Sequence, residues 1–188
     1  MPHEDDGLTI ARERIAEEAR ARTGSLDLGM LGLDELPAEL FALTHLRRLN
    51  LGYRYLDEAG TLTAAAADIA PNRLDSQLHR LAALPELDAL SVIGAELTTL
   101  TDAADLRILQ SLDCSGTPVS DLSPLSGLSA LQSLTCSYTP VSDLSPLRGL
   151  SALQLLDCSQ TQVSDLSPLS GLSALESLTC SYLSLIHI

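Results

Sequence analysis

Between Leu109 and Leu175 the chain nearly repeats itself. LQSLDCSGTPVSDLSPLSGLSA (109–130) is followed by LQSLTCSYTPVSDLSPLRGLSA and LQLLDCSQTQVSDLSPLSGLSA, and a fourth unit opens LESLTCSY, so that Leu109, Leu131, Leu153 and Leu175 stand 22 residues apart. Self-similarity at a fixed period of this length marks a stack of identical supersecondary units rather than a globular domain with one irregular core. In the first unit Leu109, Leu112, Cys114, Val119, Leu122, Leu125 and Leu128 are the recurrent apolar positions.

Counting back by 22 from Leu109 reaches Leu87, where LDALSVIGAELTTL keeps the phase with Leu90, Val92, Leu97 and Leu100. LRRLNLGYRYL (46–56) has the same spacing, and SLDLGMLGLDELPAELFAL (25–43) is a slightly longer unit, which makes seven strand-like segments. Leu46 and Leu87 are 41 residues apart instead of 22, so an insertion of about 19 residues lies within 57–86. Its alanine run, Ala64–Ala67, and the LxxQLxxLAAL run from Leu74 to Leu84 favour helix, with Pro71 and Asn72 dividing it.

Within each unit, alternation at period two sends Leu112 and Cys114 to one side and Ser111, Asp113 and Ser115 to the other. So short a strand cannot bury its apolar side alone, and stacked coils turn the leucine columns into one continuous core. Ser123 and Pro124 then suit the start of a short helical return leg, as cap and first helical residue, and Gly127 suits its end. The predicted architecture is an α/β repeat solenoid: parallel strands, short helical or 3-10 return legs, and a helical cap over residues 1–24. The cap would present Leu8, Ala11, Ile15 and Ala19 as one helical stripe.

Composition narrows the function. A formal net charge of −14 and a pI near 4.4 argue against a nucleic-acid partner, which requires a cationic face. The N-terminal stretch mixes acids and arginines without an apolar core, and no segment reaches membrane-spanning length, so a cytoplasmic protein that engages no membrane is expected. All 11 basic residues are Arg, which points to GC-rich coding. Four cysteines in such a compartment are expected to be reduced.

The cysteines Cys114, Cys136, Cys158 and Cys180 invite a metal reading. Strands about 4.8 Å apart would spread them over roughly 14 Å, too far for one ion with Zn–S bonds of about 2.3 Å. Packing as small buried hydrophobes is the better reading. Asp121, Asp143 and Asp165 are expected to bind turn amides rather than calcium. The four histidines are scattered, and neither a phosphate-binding loop nor a nucleophile elbow is present. No cofactor, metal or catalytic residue is expected. What differs between coils is the exposed strand face: Arg48, Asn50 and Tyr53; Ser91 and Ile93; Asp113 and Ser115; Thr135, Ser137 and Tyr138; Asp157, Ser159 and Gln160; Thr179 and Tyr182. Tyr53, Tyr138 and Tyr182 share one column, and tyrosine suits interfaces because it offers rigid apolar area with a polar tip.

The pattern resembles the leucine-rich repeat, L-x-x-L-x-L-x-x-N/C-x-L, in its 22-residue form, over residues 25–182. Thr117, Thr139 and Thr161 stand where that repeat usually has Asn, and the cysteine column replaces the second strand leucine. The resemblance implies a horseshoe-shaped module that binds a protein partner and has no activity of its own. LDLGMLGLDELPAELFALTHLRRLNLG is similar to bacterial regions that precede the GTPase of Roco proteins, which implies as an alternative the recognition arm of a larger signalling enzyme. The SDLSPLxGLSxL units resemble internalin repeats, although internalins are exported. The last six residues, LSLIHI (183–188), depart from the repeat and resemble a translated sequencing-library adapter, so this tail is expected to be non-native and the chain a fragment.

Overall fold

One leucine per coil sets the register of the ladder. In the computed structural model, which describes residues 4–56, 62–66, 69–75 and 77–183, Leu26, Leu49, Leu90, Leu112, Leu134, Leu156 and Leu178 pair directly across adjacent parallel strands. The strands are β1 (Ser25–Asp27), β2 (Arg48–Asn50), β5 (Ala89–Ser91), β6 (Ser111–Asp113), β7 (Ser133–Thr135), β8 (Leu155–Asp157) and β9 (Ser177–Thr179), in that order across a seven-stranded sheet. The phase from Leu46 to Leu87 therefore holds across the insertion.

The first six coils each return through a short 3-10 leg, of which Ser123–Gly127 is typical. Ser123 is the first residue of that leg, not its cap; Leu122 precedes it and makes no side-chain cap bond. The legs stack Leu40, Leu81, Ala103, Leu125, Leu147 and Leu169 into a second buried column behind the strands. Complete burial of a leucine contributes about 1.5–3 kcal/mol, and a coil holds several. Isolated coils are unstable and the stack is not.

Helix α1 (Glu4–Ala21) closes the first coil, on a stripe rotated from the expected one. Gly7, Ala11, Ile15 and Glu18 are buried, Leu8 is half-buried and Ala19 is exposed. Gly7 sets this rotation: a Cβ there would lie 1.8 Å from the Leu31 carbonyl oxygen, so only glycine lets the helix approach so closely. Glu18 fastens the turn into β1. Its carboxylate accepts from the Thr23 hydroxyl at 2.6 Å and the Gly24 amide at 2.7 Å, and lies 2.9 Å from His45 Nε2. Burial pushes the Glu18 carboxyl up, but these bonds outweigh it and hold the group below its ordinary value.

The insertion is not the expected helix. Its Leu62–Ala64 stretch (β4) pairs antiparallel with β3 (Arg54–Leu56), just before the insertion, and both lie outside the seven-stranded ladder. The run toward Leu84 is helical only as the 3-10 return leg of the second coil, Leu78–Ala83. Tertiary bonds override the helical propensity of the alanines: the Ala65 amide donates to the Tyr53 carbonyl at 2.8 Å, and the Ala66 amide to Asp27 Oδ2 at 2.7 Å. Residue 67 of that alanine run lies outside the described residues, as do residues 184–188 of the C-terminal tail. In β9 all three residues are exposed, Leu178 included.

Candidate interaction surface

Alternation along the strands turns residues 48, 111, 113, 133, 135, 155 and 157 away from the leucine core. Of these, residues 48, 111, 113, 133 and 155 line a trough of about 440 Å³ that crosses the sheet from β1 to β8. Its walls include Arg48, Ser111, Asp113, Ser133, Gln154 and Leu155, so the strand face is concave. The hairpin narrows this face over the first three coils. The Ser91 hydroxyl donates to the Arg54 carbonyl at 2.6 Å, and Asn50 Nδ2 donates to Asp27 Oδ1 at 2.7 Å and to the Gly52 carbonyl.

The residues expected on this face divide into two groups. Asp113 and Arg48 are half-exposed and line the trough, Thr135 and Asp157 are half-exposed on the same strand face, and Gln160, Thr179 and Tyr182 are exposed. Asn50, Ser91, Ile93, Ser115, Ser137 and Ser159 are buried, which corrects their expected exposure. Asn50 and Ser91 end β2 and β5 and are covered by their bonds to Asp27 and to the Arg54 carbonyl, whereas Ile93, Ser115, Ser137 and Ser159 lie past three-residue strands, where the backbone turns and alternation fails. At that point the serines bond between coils: the Ser137 hydroxyl donates to Ser115 Oγ at 3.0 Å, and the Ser181 amide to Ser159 Oγ at 3.2 Å. In β6 and β8 the aspartate accepts from the serine amide two residues on, at 3.0 Å for Asp113 and 2.9 Å for Asp157. The column of Gln110, Gln132 and Gln154, one residue before each strand, is exposed beside the trough. Sequence reasoning missed it, although three glutamines at the repeat interval were visible.

The tyrosine column sits on the rim. Tyr138 is 69% exposed and Tyr182 81% exposed, and both, like Gln160 between them, hold left-handed backbone with φ of 56–58°. One and two coils earlier the same position is Gly116 and Gly94, with φ of 66° and 65°. Non-glycine residues reach this region only at a conformational cost of about 1–2 kcal/mol. Tyr53 differs. Its ring lies over Gly94, where an added Cβ would come within 2.4 Å of it, and the Arg54 guanidinium stands 5.6 Å from the ring centroid.

The other columns are structural. Cys114, Cys136 and Cys158 are buried free thiols, and Cys180 is half-buried. Burial pushes Cys114 up to about 12 and Cys158 to about 11, and raises Cys136 well above its ordinary value. Asp121, Asp143 and Asp165 each accept the amide two residues on at 2.8 Å, which holds these carboxyls below their ordinary value. Burial, with the like charge of Asp157 as a smaller cause, pushes Asp113 up. Among the described residues no three His, Cys, Asp or Glu side chains gather to hold a metal ion, and no helix is long and apolar enough to cross a membrane. Thr117, Thr139 and Thr161 donate to the carbonyls of Cys114, Cys136 and Cys158 within their own coils. Asn72, in the corresponding position of the second coil, bridges to the first coil instead. Sequence reasoning missed it because the insertion displaces it, yet PNRL (71–74) carries the N-x-L signature.

The Leucine Rich repeats (2 copies) family matches residues 109–149. A search of curated protein sequences finds no match. Among solved structures, an internalin of Listeria monocytogenes aligns with a TM-score of 0.63 and 22% identity, over 87% of this chain and 48% of its own. Internalin C2 of the same organism gives 0.54 and 26% identity, over 86% of this chain and 80% of its own. A leucine-rich-repeat protein of Leptospira interrogans gives 0.63 and 20%, over 90% and 47%. The chain thus spans about half the length of the first and third of these structures. Its fold is a leucine-rich-repeat solenoid with an N-terminal helical cap.

Proposed function

We propose that the chain is a non-catalytic protein-interaction module that binds its partner on the concave strand face from β6 to β9, with Tyr138 and Tyr182 as rim anchors. The observation that carries this reading is Tyr138 itself. It is an exposed aromatic in left-handed backbone where the preceding coil has glycine, so the position bears a conformational cost without any packing return. The open trough beside it supplies the area such an anchor needs. A cytoplasmic location belongs to this reading, since free thiols stacked as core suit a reducing compartment. Solenoids of this fold also form parts of longer chains, as the 48% and 47% coverages indicate. A recognition arm of a larger signalling enzyme would use the same face, and a phosphate-binding loop encoded downstream would favour that form.

The test is site-specific photocrosslinking in cells that express the protein naturally. A benzophenone amino acid at Thr135, half-exposed on the strand face, should crosslink one discrete protein, whereas the same group at Ser126, on the exposed return leg, should not. Excess unlabelled protein should suppress the product, and excess Ser133→Trp protein should not. A product formed equally from Ser126 contradicts the assignment.

A further inference from the structure

Charge along the open trough is unevenly placed. Arg48 lies at the β2 end and has no ion pair among the described residues, while its neighbour Arg47 is bound to Asp88. Asp113 on β6 lines the trough, and Asp157 on β8 stands in register with it on the same sheet face, with one strand between them; each carboxylate accepts from a serine of its own turn. Among the described residues no cation forms an ion pair with either one. Beside Asp157, Leu155 is 49% exposed at a position that is serine in β6, β7 and β9.

Spacing converts this placement into a recognition pattern. Alternate strands are roughly 10 Å apart, from about 4.8 Å per strand, and one three-residue turn of a polyproline-II chain rises roughly 9 Å and brings the side chain back to the same side. Arg48 pairs in register with Ala89 and hence with Ser111, so Asp113 lies two residues further along and roughly 12 Å away. That distance takes three or four residues of such a segment. A segment crossing the strands would therefore meet the two carboxylates with side chains i and i+3.

We infer that the trough takes a segment of a partner protein in polyproline-II conformation that carries two cationic side chains three residues apart, set against Asp113 and Asp157, with an acidic residue three or four positions beyond toward Arg48 and an apolar side chain against Leu155. This rests on the interaction reading above and specifies the partner's chemistry at the same face. Burial of Asp113 without a counter-charge supports it, because an incoming guanidinium or ammonium supplies the missing neutralisation.

The test is selection of random 12-residue peptides displayed on phage against the full chain. The expected consensus has Arg or Lys at i and i+3 and an acidic residue three or four positions from the pair. Asp113→Asn and Asp157→Asn should each weaken a selected synthetic peptide roughly tenfold, and Arg48→Ala should remove the preference for the acidic residue. Peptides blocked by Ser133→Trp but lacking the paired cations overturn this inference and leave the concave face as the binding surface. Peptides indifferent to Ser133→Trp overturn both. An absence of any enriched peptide overturns the inference alone, and the photocrosslinking result then decides the broader reading.

Discussion

The side-chain amide of Asn72 donates to the Leu51 carbonyl at 2.8 Å, 21 residues away in the chain and across an inserted hairpin. The same side chain donates to the Leu28 carbonyl at 2.9 Å and accepts the Leu33 amide at 2.8 Å, with no exposure to solvent. It is the point at which the insertion rejoins the solenoid.

Removing that side chain leaves buried carbonyls and an amide without partners, each costing about 1–3 kcal/mol. Asn72→Ala should therefore destabilise the chain by roughly 3 kcal/mol or more in urea unfolding, and hydrogen exchange should accelerate first at Leu33 and across β1 and β2. An effect below 1 kcal/mol would mean that the bridge is not structural.

Gly7→Ala should lift α1 from the first coil, since the new Cβ has no room beside the Leu31 carbonyl. A loss of about 1–3 kcal/mol is expected, as for other overpacked sites. Ala19→Ser, on the exposed side of the helix, should be nearly neutral. Thermal melts of the two variants check both statements.

Tyr138→Gly should stabilise the fold by about 1 kcal/mol, because glycine adopts the required φ of 57° freely. The same substitution should weaken partner binding. Stability and affinity moving in opposite directions is the signature of a residue retained for contact rather than packing.

Alkylation at pH 8 should modify Cys180 first, since it alone of the four cysteines is only half-buried. Cys114 and Cys158, with values near 12 and 11, should react only as the chain unfolds. Cys136→Ser places a hydroxyl in the leucine core and should cost about 1–3 kcal/mol. Equal rates for all four thiols in native protein would contradict the packed column.

Asp121, Asp143 and Asp165 ionise in the folded chain below the ordinary aspartate value of 3.8. Their contribution to stability is present above that pH and lost as pH falls through the depressed folded-state values. Asp113, raised by burial, acts with the opposite sign as its own carboxyl protonates. Replacing the three turn aspartates by Asn keeps an acceptor for each serine amide but removes the ionisation. The triple variant should lose melting temperature less steeply between pH 4 and pH 2 than the parent, within the ordinary aspartate range of about 3.5 ± 1.2.

The columns were legible because the repeat imposes them: Leu112 can occupy only one side of a strand whose neighbours are identical. The return legs and the aspartate turns followed from Pro124 and from the fixed interval between Asp121 and Ser123. Three features were not legible. Ser115 lies one residue past its strand, where alternation no longer reports direction. Helix α1 was read by its most apolar stripe, whereas Gly7 and Glu18 orient it, one by absence of a side chain and the other by a buried carboxylate. The hairpin opposes its local propensity, and Asp27, in another coil, supplies the bond that decides it.

The affinity of the crosslinked partner for two tryptophan variants, measured by calorimetry, tests the central assignment most directly. Ser133→Trp fills the trough between β6 and β8, and Ser126→Trp places the same bulk on the opposite, exposed leg. The account predicts a loss of about 100-fold or more (roughly 2.7 kcal/mol) for Ser133→Trp and essentially none for Ser126→Trp, with melting temperatures of both close to the parent. An unchanged affinity for Ser133→Trp would show that the partner binds elsewhere on the solenoid.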